Sequence, residues 1–130
     1  MHFVTTPRWR ALAAFATVAA GLSTTALAQT PVAPPADFGI CSACHESTAK
    51  AAPSLGPNLF GIGGRKAGGA DGYDYSDAMK AYGKPWTADT LQAFILDPAK
   101  AVPGNKMDYP GANDAASAKA IADYLMTLKG

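Results

Sequence analysis

A small all-α domain is the fold class that this 130-residue sequence predicts, and three observations predict it. No stretch alternates apolar and polar residues with the period of two that a half-buried strand needs. Four short segments carry helix caps or helical spacing. Two long stretches rich in Gly and Pro lie among them and read as ordered loop. Neither an internal repeat nor a strand–helix–strand pattern is visible.

The first segment differs from the rest. His2, Arg8 and Arg10 make a positive start without an acid, and Ala11 to Leu22 is a continuous small and apolar run. Ala26-Leu27-Ala28 then offers small residues at signal-peptidase spacing. The three parts predict a secretory signal peptide over 1–28, cleaved after Ala28. A retained membrane anchor is the rival, but the run has twelve residues and a spanning helix needs about 20. Residues 29–35, rich in Pro and Ala, are expected to be a flexible mature N-terminus. The folded domain is then 36–130.

Pro34-Pro35 is placed to open a short helix through Phe38, Ile40 and the cysteines. Ala51 to Ala70 is loop. Ser76 caps a helix over Asp77 to Tyr82, which Gly83 and Pro85 end. Thr87 caps another, with Leu91, Phe94 and Ile95 at i, i+3, i+4, stopped at Pro98. Ala99 to Gly111 reads as a second loop. Asn113 or Asp114 caps the last helix, where Ile121, Tyr124, Leu125 and Leu128 make one apolar stripe. Short helices are marginal alone, and about 100 residues arranged this way bury little surface. A large flat apolar cofactor would supply the missing interior.

Charge excludes one class of partner. Without residues 1–28 the chain keeps nine basic against ten acidic residues. A near-neutral domain is no nucleic-acid binder by bulk charge, and its long-range steering is weak.

The mature chain holds two cysteines and one histidine, all within Cys41-Ser42-Ala43-Cys44-His45. This is C-x-x-C-H, the attachment signature of haem c. Two thiols on one helical turn face the same way, and each can add across a haem vinyl group. The next residue then brings an imidazole to the iron. Rival readings fit less well. A dithiol oxidoreductase uses C-x-x-C within a strand-rich fold. A structural zinc site wants four N or S ligands, and only three remain. A plain disulfide leaves His45 unexplained.

Methionine is the natural sixth ligand, and Met/His ligation raises the reduction potential. Met126 lies among core positions of the last helix, and Met79 lies on a short helix where it could pack on the haem. Met107 sits in Pro103-Gly104-Asn105-Lys106-Met107, closed by Pro110-Gly111, so proline and glycine at both ends can stiffen the loop.

With these residues in view, the chain resembles the class I c-type cytochromes, most closely the mitochondrial-type and bacterial soluble members. The likeness runs through C-S-A-C-H at 41–45, G-P-N-L at 56–59, G-R at 64–65, G-Y-D-Y-S at 72–76, Trp86, D-P at 97–98, P-G-N-K-M at 103–107 and Tyr124-Leu125. It implies the cytochrome c fold, four to five short helices and long loops around one covalent haem. It implies Met107 as the sixth ligand opposite His45. It also implies that Pro57 offers its carbonyl to the far nitrogen of His45. Arg65, Tyr75 and Trp86 would then donate to a buried haem propionate while Tyr73 covers the same edge. Phe38 and Ile40 would pack on the last helix near Tyr124 and Leu125. Three departures stand out: the first helix is short and proline-led, Phe94 replaces a common tyrosine, and Asn105 replaces a common threonine.

The implied function is one-electron transfer by a monomeric periplasmic carrier that is not an enzyme. Its partners would be redox proteins: a cytochrome bc-type complex, a terminal oxidase or a periplasmic dehydrogenase. Two alternatives remain open. One is an open-iron protein with peroxidase or gas-binding activity; the other is a subunit docked permanently to one dehydrogenase.

Overall fold

The computed structural model describes residues 1–2 and 31–129. The expected signal peptide, apart from its first two residues, lies outside them, as do Gln29 and Thr30 of the expected flexible N-terminus. No helix among the described residues is long and apolar enough to cross a membrane.

Among the described residues five α-helices form, each where a cap or a proline starts it. A 3-10 turn at Ala36–Phe38 runs straight into the single turn α1, Gly39–Ser42. Helix α2 spans Asp77–Tyr82; the Ser76 hydroxyl accepts from the Met79 N–H at its start, and Gly83 ends it at φ +51°. Left-handed backbone of this kind costs glycine nothing. Helix α3, Ala88–Leu96, opens on a reciprocal Thr87/Thr90 capping box. Helix α5, Ala115–Thr127, starts where the Asp114 side chain accepts from the Ser117 N–H. Local chemistry alone sets these starts, which is why they were legible in advance.

One element was not expected. Pro98 does end α3, but it also begins α4, Pro98–Ala101. Proline suits the first helical position because its missing N–H would have no partner there. The Asp97 side chain completes the start by accepting from the Lys100 N–H at 3.0 Å. The loop is therefore shorter than Ala99 to Gly111, and it leaves from a fixed helical turn.

Helices α3 and α5 make the main packing pair. Leu91, Phe94 and Ile95 face Ala118, Ile121, Ala122 and Leu125, all buried. Phe38 docks the N-terminal turn on this pair, its ring 4.8 Å from Tyr124 in an edge-on arrangement. Ile40 does not join it. The expected packing of Ile40 on the last helix is wrong: this side chain is 57 % exposed. The reason is the shortness of α1. One turn can aim one large side chain at α5, and Phe38 takes that place.

Backbone pairing also joins 64–67 to 84–86, through Gly64 N–H to Trp86 O at 2.7 Å, Trp86 N–H to Arg65 O at 2.9 Å and Ala67 N–H to Lys84 O at 2.8 Å. The isolated bridge Lys66–Pro85 lies within it. This short extended pair sets Arg65 beside Trp86.

Phe38→Ala should lower the unfolding free energy by about 3 kcal/mol, as truncation of a buried aromatic does. Ile40→Ala should change it by about 0.5 kcal/mol or less. Chemical denaturation of both variants checks the contrast; equal losses would contradict it.

Candidate functional site

A cavity of about 520 Å³ occupies the centre of the fold. Its walls are Leu59, Ile62, Leu91, Phe94, Ile95 and Leu125, with polar groups at a few points. All nine residues singled out from the sequence line it: Cys41, Cys44, His45, Pro57, Arg65, Tyr73, Tyr75, Trp86 and Met107.

Cys41 and Cys44 are both partly buried and unbridged. Burial pushes the Cys41 thiol above its ordinary value, with a backbone hydrogen bond opposing. The turn that carries them continues to His45, whose N–H donates to the Cys41 carbonyl at 2.9 Å. The His45 ring is held from the far side: Nδ1 lies 2.8 Å from the Pro57 carbonyl. A carbonyl can only accept, so Nδ1 carries a proton, and in the neutral ring that leaves the lone pair on Nε2.

Gly56 makes that geometry possible. A Cβ there would stand 2.6 Å from His45 Nδ1 and 3.0 Å from Nε2, and nearer still to Cε1. Only a residue without a side chain lets the imidazole lie flat against the chain. Gly56 is itself tied back, its N–H donating to the Cys44 carbonyl at 2.7 Å. The Ser54 hydroxyl donates to the same oxygen at 2.7 Å.

Arg65 is half-buried and spends part of its fork on the backbone. Nη2 donates to Asn58 O at 2.7 Å and Nη1 to Phe60 O at 3.2 Å. Burial lowers it from its ordinary value, while Tyr75 and Asp71 pull it back up; a guanidinium stays protonated regardless. Burial also raises the Tyr75 hydroxyl, chiefly by desolvation, against a backbone hydrogen bond at Ala70 and the Arg65 charge. Tyr73 meets Tyr75 edge to face at 4.9 Å and donates to Leu55 O at 3.3 Å. Trp86 is 6 % exposed and lies between Tyr82 and Phe94, at 5.7 and 5.3 Å.

The three methionines after residue 28 separate by position. Met126 faces Gly63, where a Cβ would lie 3.2 Å from its sulfur, and it is not on the cavity wall. Met79 and Met107 both are. Met79 is 7 % exposed, within α2. Met107 lies in the loop after α4, on backbone outside any helix.

Gly56 and the side chain of Asn58 do not stand out in the sequence as individual residues, although both lie in the G-P-N-L segment. Asn58 donates to Thr48 O and Ala51 O, both at 2.9 Å, and accepts from Phe60 N–H at 2.8 Å. It thereby folds the loop that presents Pro57. The signal was the asparagine itself, a residue that bonds its own backbone two positions on.

A scan against protein-family profiles gives no match. Individual relatives are clear. The chain is 41% identical over 95 residues to cytochrome c2 iso-2 of Magnetospirillum molischianum, covering 73% of this chain and 97% of that protein. It is 44% identical over 90 residues to cytochrome c2 of Rhodopila globiformis, covering 69% and 84%. Among solved structures, cytochrome cH from Methylobacterium extorquens superposes with a TM-score of 0.64 at 44% identity, covering 69% of this chain and 90% of that one. The chain belongs to the class I c-type cytochromes. Its fold is the all-α cytochrome c fold, its cofactor is covalent haem c, and its general function is electron transfer at a single haem.

Gly56→Ala should force the His45 ring off the Pro57 carbonyl and cost about 1–3 kcal/mol, as overpacking does. Denaturant unfolding of haem-loaded protein measures it; a loss under about 0.5 kcal/mol would mean that the ring is not pinned here.

Proposed function

We propose that this chain is an exported one-electron carrier of the periplasm, not an enzyme, working as a monomer between a donor and an acceptor protein. The observation that carries the reading is one cavity lined by two thiols, an imidazole with Nδ1 committed to Pro57, and a loop thioether. The residues fit the cofactor. The cavity is apolar where a porphyrin face would lie and offers N–H and O–H donors at Arg65, Tyr75 and Trp86. A buried carboxylate without such partners would be costly.

The roles follow from that fit. Cys41 and Cys44 would hold the haem through thioether bonds. His45 Nε2, oriented by Pro57, and Met107 Sδ would be the two protein ligands of its iron. Arg65 would direct the N–H groups not used on Asn58 and Phe60 to a propionate, with Tyr75 and Trp86 beside it and Tyr73 over that edge. The bound haem supplies an iron that changes its charge by one electron, and the chain's part is to keep both ligands in place. His45 is the one imidazole on the wall among the described residues, and its ring is already engaged. That leaves little for acid–base catalysis and disfavours the peroxidase reading.

The donor in this proposal is a cytochrome bc-type complex or a periplasmic dehydrogenase, and the acceptor is a terminal oxidase. Contact would be made at the cavity rim, where Ile40 and Leu55 are 57% and 76% exposed. Lys106 on this rim is paired with Asp74 at 3.3 Å, and Asp74 also meets Lys80 at 3.4 Å. The Lys106 hydrogen bond is the largest influence lowering the Asp74 carboxyl. Asp74 offsets one of these two lysines, and Asp108, beside Lys106 on the cavity lining, offsets the other, so the rim is near neutral.

Met107→Ala should abolish the weak near-red absorption of ferric iron bound to sulfur and let the ferrous protein bind carbon monoxide, while Met79→Ala keeps the band. Loss of the band on Met79→Ala alone would move the sixth ligand to α2. Electron exchange between oxidised and reduced copies should change about threefold or less as ionic strength rises from about 0.05 to 0.5 M, because a near-neutral rim steers weakly. A steep salt dependence, followed by magnetic resonance line broadening, would rule out the neutral rim.

A further inference from the structure

Asn105 uses every polar atom of its side chain on the loop that carries Met107. Its Nδ2 donates to Pro98 O and to Val102 O, both at 2.9 Å. Its Oδ1 accepts from the Met107 N–H at 2.9 Å. Asn105 N–H also donates to Val102 O at 3.0 Å. The two carbonyls belong to the first residue of α4 and to its C-cap. Both residues are buried: Pro98 is under 2 % exposed and Val102 is 3 %. The anchor is therefore rigid, and one planar group transmits that rigidity to the Met107 backbone.

Resting on the reading of Met107 as sixth ligand, we propose that Asn105 is a positioning residue for it. The carboxamide clamps the Met107 N–H to the carbonyls of α4 and so holds the thioether at the iron. A thioether is a weak donor, and its affinity depends on how little the loop must be ordered when it binds. The residue type is specific. Aspartate of the same shape has no donor and would set a carboxylate oxygen against two carbonyls. Threonine has one hydrogen for two carbonyls while it accepts from Met107. Asn58 forms the same figure on the His45 side: two donations to backbone carbonyls and one acceptance from the N–H two residues on. Matching clamps thus brace the loops on both sides of the cavity.

The test compares haem-loaded wild type with Asn105→Asp, Asn105→Ala and Asn105→Thr. Three quantities are read: loss of the near-red sulfur-to-iron band with denaturant, global unfolding by far-ultraviolet circular dichroism, and the carbon monoxide binding rate of the ferrous protein. In Asn105→Asp and Asn105→Ala the band should vanish well before the helices unfold. Carbon monoxide should bind at least about tenfold faster, the usual scale for losing a partner of a metal ligand. Asn105→Thr should fall between these and wild type, and it serves if the aspartate variant fails to fold. Wild-type band and binding rate in folded Asn105→Ala or Asn105→Thr would overturn the proposal. So would loss of the band only in step with unfolding, which marks a merely structural side chain. If Met107→Ala itself retains the band, it is the ligand assignment that has failed, and the clamp has nothing to position.

Discussion

The central constraint is that most of the large side chains of the buried core also form the wall of the cavity. Leu59, Ile62, Met79, Trp86, Leu91, Phe94, Ile95, Ile121 and Leu125 are buried, and each also lines the cavity. Packing of α3 on α5, and of α2 and the loops around them, buries one side of these residues; their other side needs the haem. A cofactor that binds only the folded chain stabilises it by mass action. Covalent attachment at Cys41 and Cys44 makes that binding intramolecular, so its effective concentration stays high however dilute the protein. Helices of four to thirteen residues can then suffice, because no single element must hold the fold alone.

The site is built on loops, which makes loop stiffness the second requirement. Between 44 and 65 the stiffness comes from hydrogen bonds that cross back over the segment: Gly56 and Ser54 to the Cys44 carbonyl, Leu59 N–H to Glu46 O at 2.8 Å, Asn58 to Thr48 and Ala51, Arg65 to Asn58 and Phe60. Buried backbone carbonyls that no helix satisfies are met by side chains in this way. Arg65 therefore does two things. It knits the segment next to Pro57, and it brings a positive charge to the cavity. A lysine could supply the charge but not the fork that reaches two carbonyls.

What could be read from the chain in advance divides along a physical line. Starts of α2, α3 and α5 rest on a cap and three following residues, so Ser76, Thr87 and the Asn113-Asp114 pair announce them. The same chemistry is present at α4, where Asp97 is the cap, but a proline directly after α3 reads as a stop and hides the new start. The residues gathered on the cavity came from a family pattern, since nothing local in Trp86 or Tyr75 says that they meet. Gly56 was opaque for a related cause: the ring it must avoid belongs to His45, eleven positions away. Ile40 misled because an apolar residue beside an apolar helix normally packs, and only the one-turn length of α1 leaves it outside.

Electron transfer rewards this division of labour. A carrier passes electrons quickly when its ligands need not move as the charge on the metal changes, since motion in the pocket adds to the barrier. The two loops that carry the proposed ligands are tied to fixed backbone, the His45 side through Pro57 and Asn58, the Met107 side through Asn105 and α4. The rim works under the opposite demand. A partner must arrive, exchange and leave, so tight complementarity would slow turnover. Exposed Ile40 and Leu55 and a partly compensated Asp74–Lys106–Lys80 network give contact without strong attraction. Rigid behind the metal and weakly adhesive in front, the chain separates holding its cofactor from meeting its partners, and different residues carry the two tasks.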